Sequence, residues 1–353
     1  MQPRRLLTLS VLLSSLPFAL AQEPSAPAPS KEQKLLDVWI GTWDVTATNL
    51  EGPAPMVMQA IEETTSICGG MWLLSKVTGT NLDFQGIAIT GWDATKSKYV
   101  GVWVDSMTAA ASTSQGTRDA KTGSFAFDGS MSSPEGARTT FTTTEFPTAD
   151  TRLETVHAVD KDGKKTKVME IRATRKKDQK TAPASATKSE KLDLGLPDPK
   201  DPMHKHLAPF AGNWKIGMTM TAPGMPEMPP NEMKSSDTLN CNDLWLVTHA
   251  TGSFSGMAFE GYGLTGYDPA KKQYVSYWVD AFGPFLMEST GTCSADGKTF
   301  TMRGDGIDMT GKPVTTVDTC KMDGKDHYVR TMVSTAKDGK DAGTMTLDCT
   351  RTK

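Results

Sequence analysis

Beyond residue 21 the chain has no apolar run near the about 20 residues that a membrane helix needs, so a helical span is excluded. Cysteine occurs at only five positions, and an odd count leaves at least one thiol that cannot pair within the chain. Most catalytic signatures are missing. There is no HExxH, no CxxC and no GxSxG, and "GSFSG" at 252–256 carries Phe254 where a nucleophile would stand. "GIDMTGKP" at 306–313 approaches a phosphate loop, but Pro313 replaces the Ser or Thr that would hold magnesium, and a β-turn rather than a helix is predicted there. A formal charge of -3 with scattered lysines argues against a nucleic-acid partner.

What is present begins with a secretory signal. Arg4 and Arg5 precede an apolar stretch from Leu6 to Leu16, and Ala19-Leu20-Ala21 supplies a small-residue cleavage site. Residues 1–21 are therefore read as a signal peptide, and the mature protein as soluble and secreted or periplasmic. Its removal takes away two arginines and no acid, which moves the charge from -3 to -5. Residues 22–30 form a Pro/Ala/Ser spacer, and a second stretch of that kind over 177–202 reads as a linker between domains at 31–176 and 203–353.

The two domains are copies. "GWDATKSKYVGVWVD" at 91–105 and "GYDPAKKQYVSYWVD" at 266–280 agree at eight of fifteen positions. Gly41 and Trp43 match Gly212 and Trp214, Cys68 and Trp72 match Cys241 and Trp245, and the closing "DGKKTKVMEIRATRK" matches "DGKDAGTMTLDCTRT". The offset drifts only from 171 to 176, as loop-length changes would produce.

Turn signals at Asp268-Pro269, Asp296-Gly297, Thr310-Gly311, Asp323-Gly324 and Asp338-Gly339 separate short alternating runs. Such tight connections make neighbours antiparallel, and about ten strands favour closure over an open twisted sheet. The predicted fold is all-β: two tandem antiparallel up-and-down barrels of about ten strands, each with a short N-terminal helix. Ser30 with Gln33 and Asp201 with Pro202 mark the helix starts.

The sequence H-x-x-L, G-x-W, F-E-G-x-G-L-T-G-Y-D-x-x-x-K-x-Y-V-x-x-W-V-D and a closing D-G-K through T-R resembles the bacterial domain-of-unknown-function family 1579 (DUF1579). The resemblance covers almost all of both halves. It implies a calycin-like barrel, similar to lipocalins, and no established activity. In the first copy Gln33 stands where the second has His204, and Gln85 where the second has Glu260.

The histidines His157, His204, His206, His249 and His327 do not repeat between copies, and His204 with His206 are too few for a metal site. His157 and His327 fall in penultimate strands, where a lumenal histidine could bind haem; an exposed strand histidine is the plainer reading. Met218, Met220, Met225, Met228 and Met233 could hold Cu(I), or fill a barrel rim. Cys68 and Cys241 read as small buried apolar residues, and Cys320 and Cys349 as lying two strands apart and therefore unbridged. Asp93 and Asp268 read as hairpin-loop residues that bond nearby amides.

The repeated block gives the candidate ligand site. If Trp92 opposes Tyr99, a fixed sum pairs Thr90 with Gly101, Ala88 with Trp103 and Gly86 with Asp105. The second copy pairs Tyr267 with Tyr274, Thr265 with Ser276, Gly263 with Trp278 and Gly261 with Asp280. Glycine beside a bulky ring makes room for the ring or for a ligand, so Gly86, Ala88, Tyr99, Trp103, Asp105, Gly261, Gly263, Tyr274, Trp278 and Asp280 are predicted to face the lumen and line a pocket. The partner expected is a small apolar or amphipathic molecule. No catalytic residue, metal ligand or cofactor is assigned. The alternatives are an envelope interaction module with solid barrels, docking another envelope protein, and an enzyme using Asp105 and Asp280 as bases.

Overall fold

A computed structural model describes residues 27–133, 136–177, 195, 197–224, 231–254, 256–308 and 310–352. Residues 1–21, expected to be a signal peptide, most of the expected linker at 177–202, and Met225 and Met228 lie outside the described residues. The first copy contains β1 (Gly41–Asn49), β2 (Met56–Ile67), β3 (Trp72–Gly79), β4 (Gln85–Asp93), β5 (Lys98–Asp105), β6 (Ser112–Arg118), β7 (Phe125–Ser133), β8 (Gly136–Thr148), β9 (Thr151–Val159) and β10 (Lys165–Arg175). The second contains β11 (Gly212–Thr221), β12 (Asn231–Asn240), β13 (Trp245–Phe254), β14 (Met257–Asp268), β15 (Gln273–Asp280), β16 (Met287–Cys293), β17 (Thr299–Ile307), β18 (Pro313–Met322), β19 (His327–Ala336) and β20 (Asp341–Thr352). Each strand pairs antiparallel with its sequence neighbour, and β1 with β10 and β11 with β20 close two barrels of ten strands each. The predicted all-β, doubled, closed architecture is what the chain adopts.

A short helix opens each copy, Lys31–Lys34 running into a 3₁₀ turn at Leu35–Trp39, and a 3₁₀ helix at Pro202–Phe210. Both begin with a reciprocal cap. The Ser30 amide donates to Gln33 Oε1 at 2.5 Å, and the Asp201 amide donates to His204 Nδ1 at 3.0 Å. His204 thus does in the second copy what Gln33 does in the first, which accounts for that difference between the copies.

The G-x-W and T-R motifs meet at the end of this helix. Arg175 donates to Ile40 O and to Val38 O (2.9 Å for the latter), and Arg351 donates to Ala211 O and Pro209 O, both at 2.7 Å. Each guanidinium lies 4.1 Å from an indole centroid, Trp43 or Trp214. Each indole Nε1 donates at 2.8 Å to the helix, to Trp39 O or Phe210 O. Gly41 (φ +136°) and Gly212 (φ +141°) are required because a Cβ there would collide with the arginine. This clamp seats the helix over one barrel mouth, where Leu207, Phe210, Trp214, Tyr267, Tyr274, Phe300 and Tyr328 pack into a solid floor. Leu36, Leu73, Tyr99 and Phe125 do the same in the first copy.

The barrels pack on each other. Ile87, Ile89, Val100, Val102 and Val104 join Leu264, Val275, Tyr277 and Val279 in one buried cluster with Cys68, Cys241, Trp72 and Trp245. A two-fold-like pair of hydrogen bonds frames it: Cys68 N–H donates to Glu260 Oε2 (2.5 Å) and Cys241 N–H donates to Gln85 Oε1 (2.9 Å). Gln85 and Glu260 therefore supply the same acceptor in each direction. Burial pushes the Cys241 thiol up to about 12 and raises Cys68 as well, so both stay protonated as small apolar groups, as the sequence predicts. Cys320 on β18 and Cys349 on β20 are separated by β19, and all five thiols are free.

Because the acceptor rather than the charge is what Cys68 needs, Glu260→Gln is expected to hold stability within about 1 kcal/mol, while Glu260→Ala and Gln85→Ala each lose roughly 1–3 kcal/mol. Denaturant melts check this. Equal losses in Glu260→Gln and Glu260→Ala would remove the amide–acceptor bond from the account.

Candidate functional site

Strand parity decides what faces inward. Since Val100, Val102 and Val104 are spent on the neighbouring barrel, Tyr99, Gly101, Trp103 and Asp105 of β5 face the lumen. The register follows the fixed sum: Trp92 opposes Tyr99, Ala88 Trp103 and Gly86 Asp105, while Tyr267 opposes Tyr274, Gly263 Trp278 and Gly261 Asp280.

The predicted site residues divide between floor and wall. Tyr99 and Tyr274 belong to the floor, where their hydroxyls donate to Glu32 O (3.2 Å) and Met203 O (2.8 Å) of the opening helices. Trp103 and Trp278 lie toward the other end. Their rings cover Gly86 and Gly261, where a Cβ would overlap the indole, and Ala88 and Gly263 flank them across the strand pair. Asp105 Oδ2 accepts from Trp103 Nε1 at 2.8 Å and its Oδ1 accepts from the Met107 and Thr108 amides. Asp280 repeats the pattern with Trp278 Nε1 (2.9 Å) and the amides of Phe282 and Gly283. Burial raises the Asp105 carboxyl above its ordinary range, against the pull of those bonds. With both oxygens engaged, these aspartates hold an indole and a loop in place.

Other candidates fall outside the lumen. His157 alternates with Arg152, Glu154 and Val156 and lies against Phe141 on the outer face, and His327 sits outside against Asp348 at 3.2 Å. Neither can ligate a haem inside a barrel. Met218 and Met233 are buried in the lumen. Asp93 and Asp268 accept the amides of Thr95 and Lys96, and of Ala270 and Lys271, as loop residues. A groove of about 870 Å³ crosses the outer faces of β11, β12 and β13 beside Lys215, Lys234 and His249. It is wide and unenclosed, unlike a small-molecule pocket.

Above each floor the lumen stays accessible. Thr265, Ser276, Ser289, Gly304, Thr316 and Ser334 form a ring of small groups in the middle of the second barrel, and all are half-buried rather than buried. Half-accessible residues at mid-strand on the inner face of a closed barrel point to space inside it. Eight strands leave an interior just wide enough for side chains or one small ligand, so ten strands lined by glycine, serine and threonine leave more. The first barrel shows the same half-buried character at Ser75, Ala88, Thr90, Gly101, Ser114 and Thr142.

Sequence reasoning missed the charges at the base of each chamber. In the first barrel Arg152, 4% exposed, donates through both Nη atoms to Glu62, and its Nε lies 2.8 Å from Glu154 Oε1. Burial pushes the Glu154 carboxyl up, partly offset by the arginine. In the second barrel Arg330 donates through Nε (2.8 Å) and Nη2 to one oxygen, Oδ2 of Asp318, while 35% of its side-chain surface remains accessible. The other oxygen of Asp318 and Oδ1 of Asp237 are buried without a partner among the described residues. Burial raises Asp237 to about 7 despite the nearby Ser235 and Thr248 hydroxyls and the positive charges of Arg330 and Arg351.

Asp237 predicts a pH dependence. Unfolded, it ionises near 3.8; folded, near 7, so between these values the unfolded chain has released a proton that the folded chain keeps. Stability therefore falls as pH rises from about 4 to 7 and levels off above. Asp237→Asn is expected to be more stable than the parent by on the order of 2–4 kcal/mol at pH 8, with the gain vanishing at pH 4. Melts at the two pH values check it; a gain independent of pH would show that the carboxyl is not held protonated.

Among solved structures, the chain is similar to a protein of unknown function from the DUF3598 family of Nostoc punctiforme PCC 73102, at 11% identity and a TM-score of 0.27, covering 92% of this chain and 100% of that one. It is also similar to intact Ap-TbpB (N and C lobes), at 8% identity and a TM-score of 0.20, covering 89% of this chain and 76% of that one. No curated protein matches it. The model of the family described as a protein of unknown function, DUF1579, matches residues 28–175 and again 199–351, and the chain belongs to that family as two tandem copies.

Proposed function

We propose that the protein binds a small apolar or amphipathic molecule inside its barrels and acts by carrying or holding it, without chemistry, after export to the cell envelope. The observation that carries this reading is the lumen: closed at one end by a clamped helix, hollow above it, and lined by small residues with Met220, Met332, Met345 and Leu347 half-buried among them. Thioethers adapt to varied apolar shapes. At the open end Phe282 lies 5.9 Å from Phe254 and 5.7 Å from Phe259, an apolar mouth beside Trp278. Small-molecule sites combine such an apolar lining with a few fixed polar groups. Export rests on the leader at residues 1–21.

Solid barrels docking another envelope protein would need a filled lumen and a free apolar wall. Here the most apolar outer wall is already covered by the second barrel.

Native mass spectrometry of protein purified from its source compartment is expected to show an extra mass that is lost on denaturation, on a chain beginning at Gln22. Trp278→Ala is expected to weaken an apolar fluorescent probe by at least about tenfold while the protein remains folded. No extra mass, with unchanged probe binding in folded Trp278→Ala, would reject the pocket.

A further inference from the structure

The two chambers are built alike but carry opposite charges at the same place. Glu154 pairs with Ile171, which pairs with Ala47; Arg330 pairs with Leu347, which pairs with Met218. Trp43 and Trp214 anchor the same register four residues before Ala47 and Met218, so Glu154 and Arg330 are equivalent positions. A glutamate whose side chain is 21% exposed stands at the base of one chamber and an arginine whose side chain is 35% exposed at the base of the other.

We propose, building on the ligand-binding reading, that the second barrel selects a single-chain amphiphile with a carboxylate head, seated on Arg330 with its tail toward the Phe254, Phe259 and Phe282 mouth, and that the first barrel does not bind such an acid. A guanidinium has five N–H donors, and two of its nitrogens are committed to one oxygen of Asp318. Nη1 makes no hydrogen bond among the described residues and is not fully buried. Asp318 holds the guanidinium plane rather than saturating it, which leaves an edge with the fork geometry that matches a carboxylate. Asp237, a residue 5% exposed whose Oδ1 has no partner among the described residues, lies near enough to Arg330 to feel its charge. In the first barrel the arginine is clamped between Glu62 and Glu154, and what faces the chamber is the Glu154 carboxylate, which repels an acid.

The dimensions agree. From Arg330 to Ala336 at the far end of β19 is six residues, or roughly 15 Å of depth at ~3.4 Å per residue and a tilt of about 40°. A medium-length alkyl chain fits that depth.

The test is calorimetric titration of the full mature chain with dodecanoate and, separately, dodecanol. The parent protein is expected to bind one dodecanoate at least about tenfold more tightly than dodecanol. Arg330→Gln is expected to remove that preference while leaving dodecanol affinity within about twofold. Because Arg330→Gln leaves Asp318 unpaired, the double variant Arg330→Gln/Asp318→Asn, which carries no orphaned charge, is measured beside it with the same expectation. Glu154→Gln is expected to keep the preference. If dodecanol and dodecanoate bind equally, or the preference survives in a folded Arg330 variant, the headgroup assignment is overturned and the ligand-binding reading stands. If neither binds the parent protein, both are overturned.

Discussion

One interaction, made twice, sets the form of this molecule: the arginine at the end of each copy lies on the tryptophan near its start and donates to the last carbonyls of the opening helix. It joins the first and last strands of each barrel at the point where closure costs the most chain entropy. It also satisfies carbonyls at the helix end that have no donor within the helix. The result is a barrel with a floor. Without that floor the lumen would be a tube open at both ends, and the accessible ring of serine, threonine and glycine above it would be a channel wall rather than the side of a cup.

The second constraint is strand parity. In β5 and β15 the valines go to the other barrel, so the indoles and aspartates must go inside. The apolar wall that the duplication created is consumed by the duplication itself, each copy covering the other, with Gln85 and Glu260 exchanging acceptors for the two cysteine amides across the seam. Burying such a surface within one chain avoids the association that an exposed apolar patch invites.

How much of this could be read from the sequence depended on loop length. Where a short hairpin fixes the register, as between Trp92 and Tyr99, one assumed pair gives every other pair by arithmetic, and those pairs were legible. Later in each copy bulges intervene, between Glu145 and Thr148, between Lys167 and Met169, and between Ser334 and Thr335, and a fixed sum no longer carries across them. The charges at the chamber base sit in these strands. Their strands are also polar on both faces, as "TRLETVHAV" shows, so hydropathy did not mark Arg152, Glu154 or Arg330 as inward. The aspartates of the repeated block were visible as residues out of place in a strand; that their oxygens are taken up by an indole and two loop amides needed coordinates. The exchange between Gln33 and His204 keeps the same reciprocal cap in both copies.

The ligand site depends on the second barrel being a cup whose base presents a guanidinium edge held by Asp318. A crystal structure of the mature protein grown with ω-bromododecanoate tests it most directly, because the anomalous signal of bromine locates the tail independently of phases from the protein. The bromine peak is predicted inside the second barrel near Phe254 and Phe282, with the carboxylate within hydrogen-bond distance of Arg330. A bromine peak on the outer surface or between the barrels, with side chains filling the lumen, would contradict it.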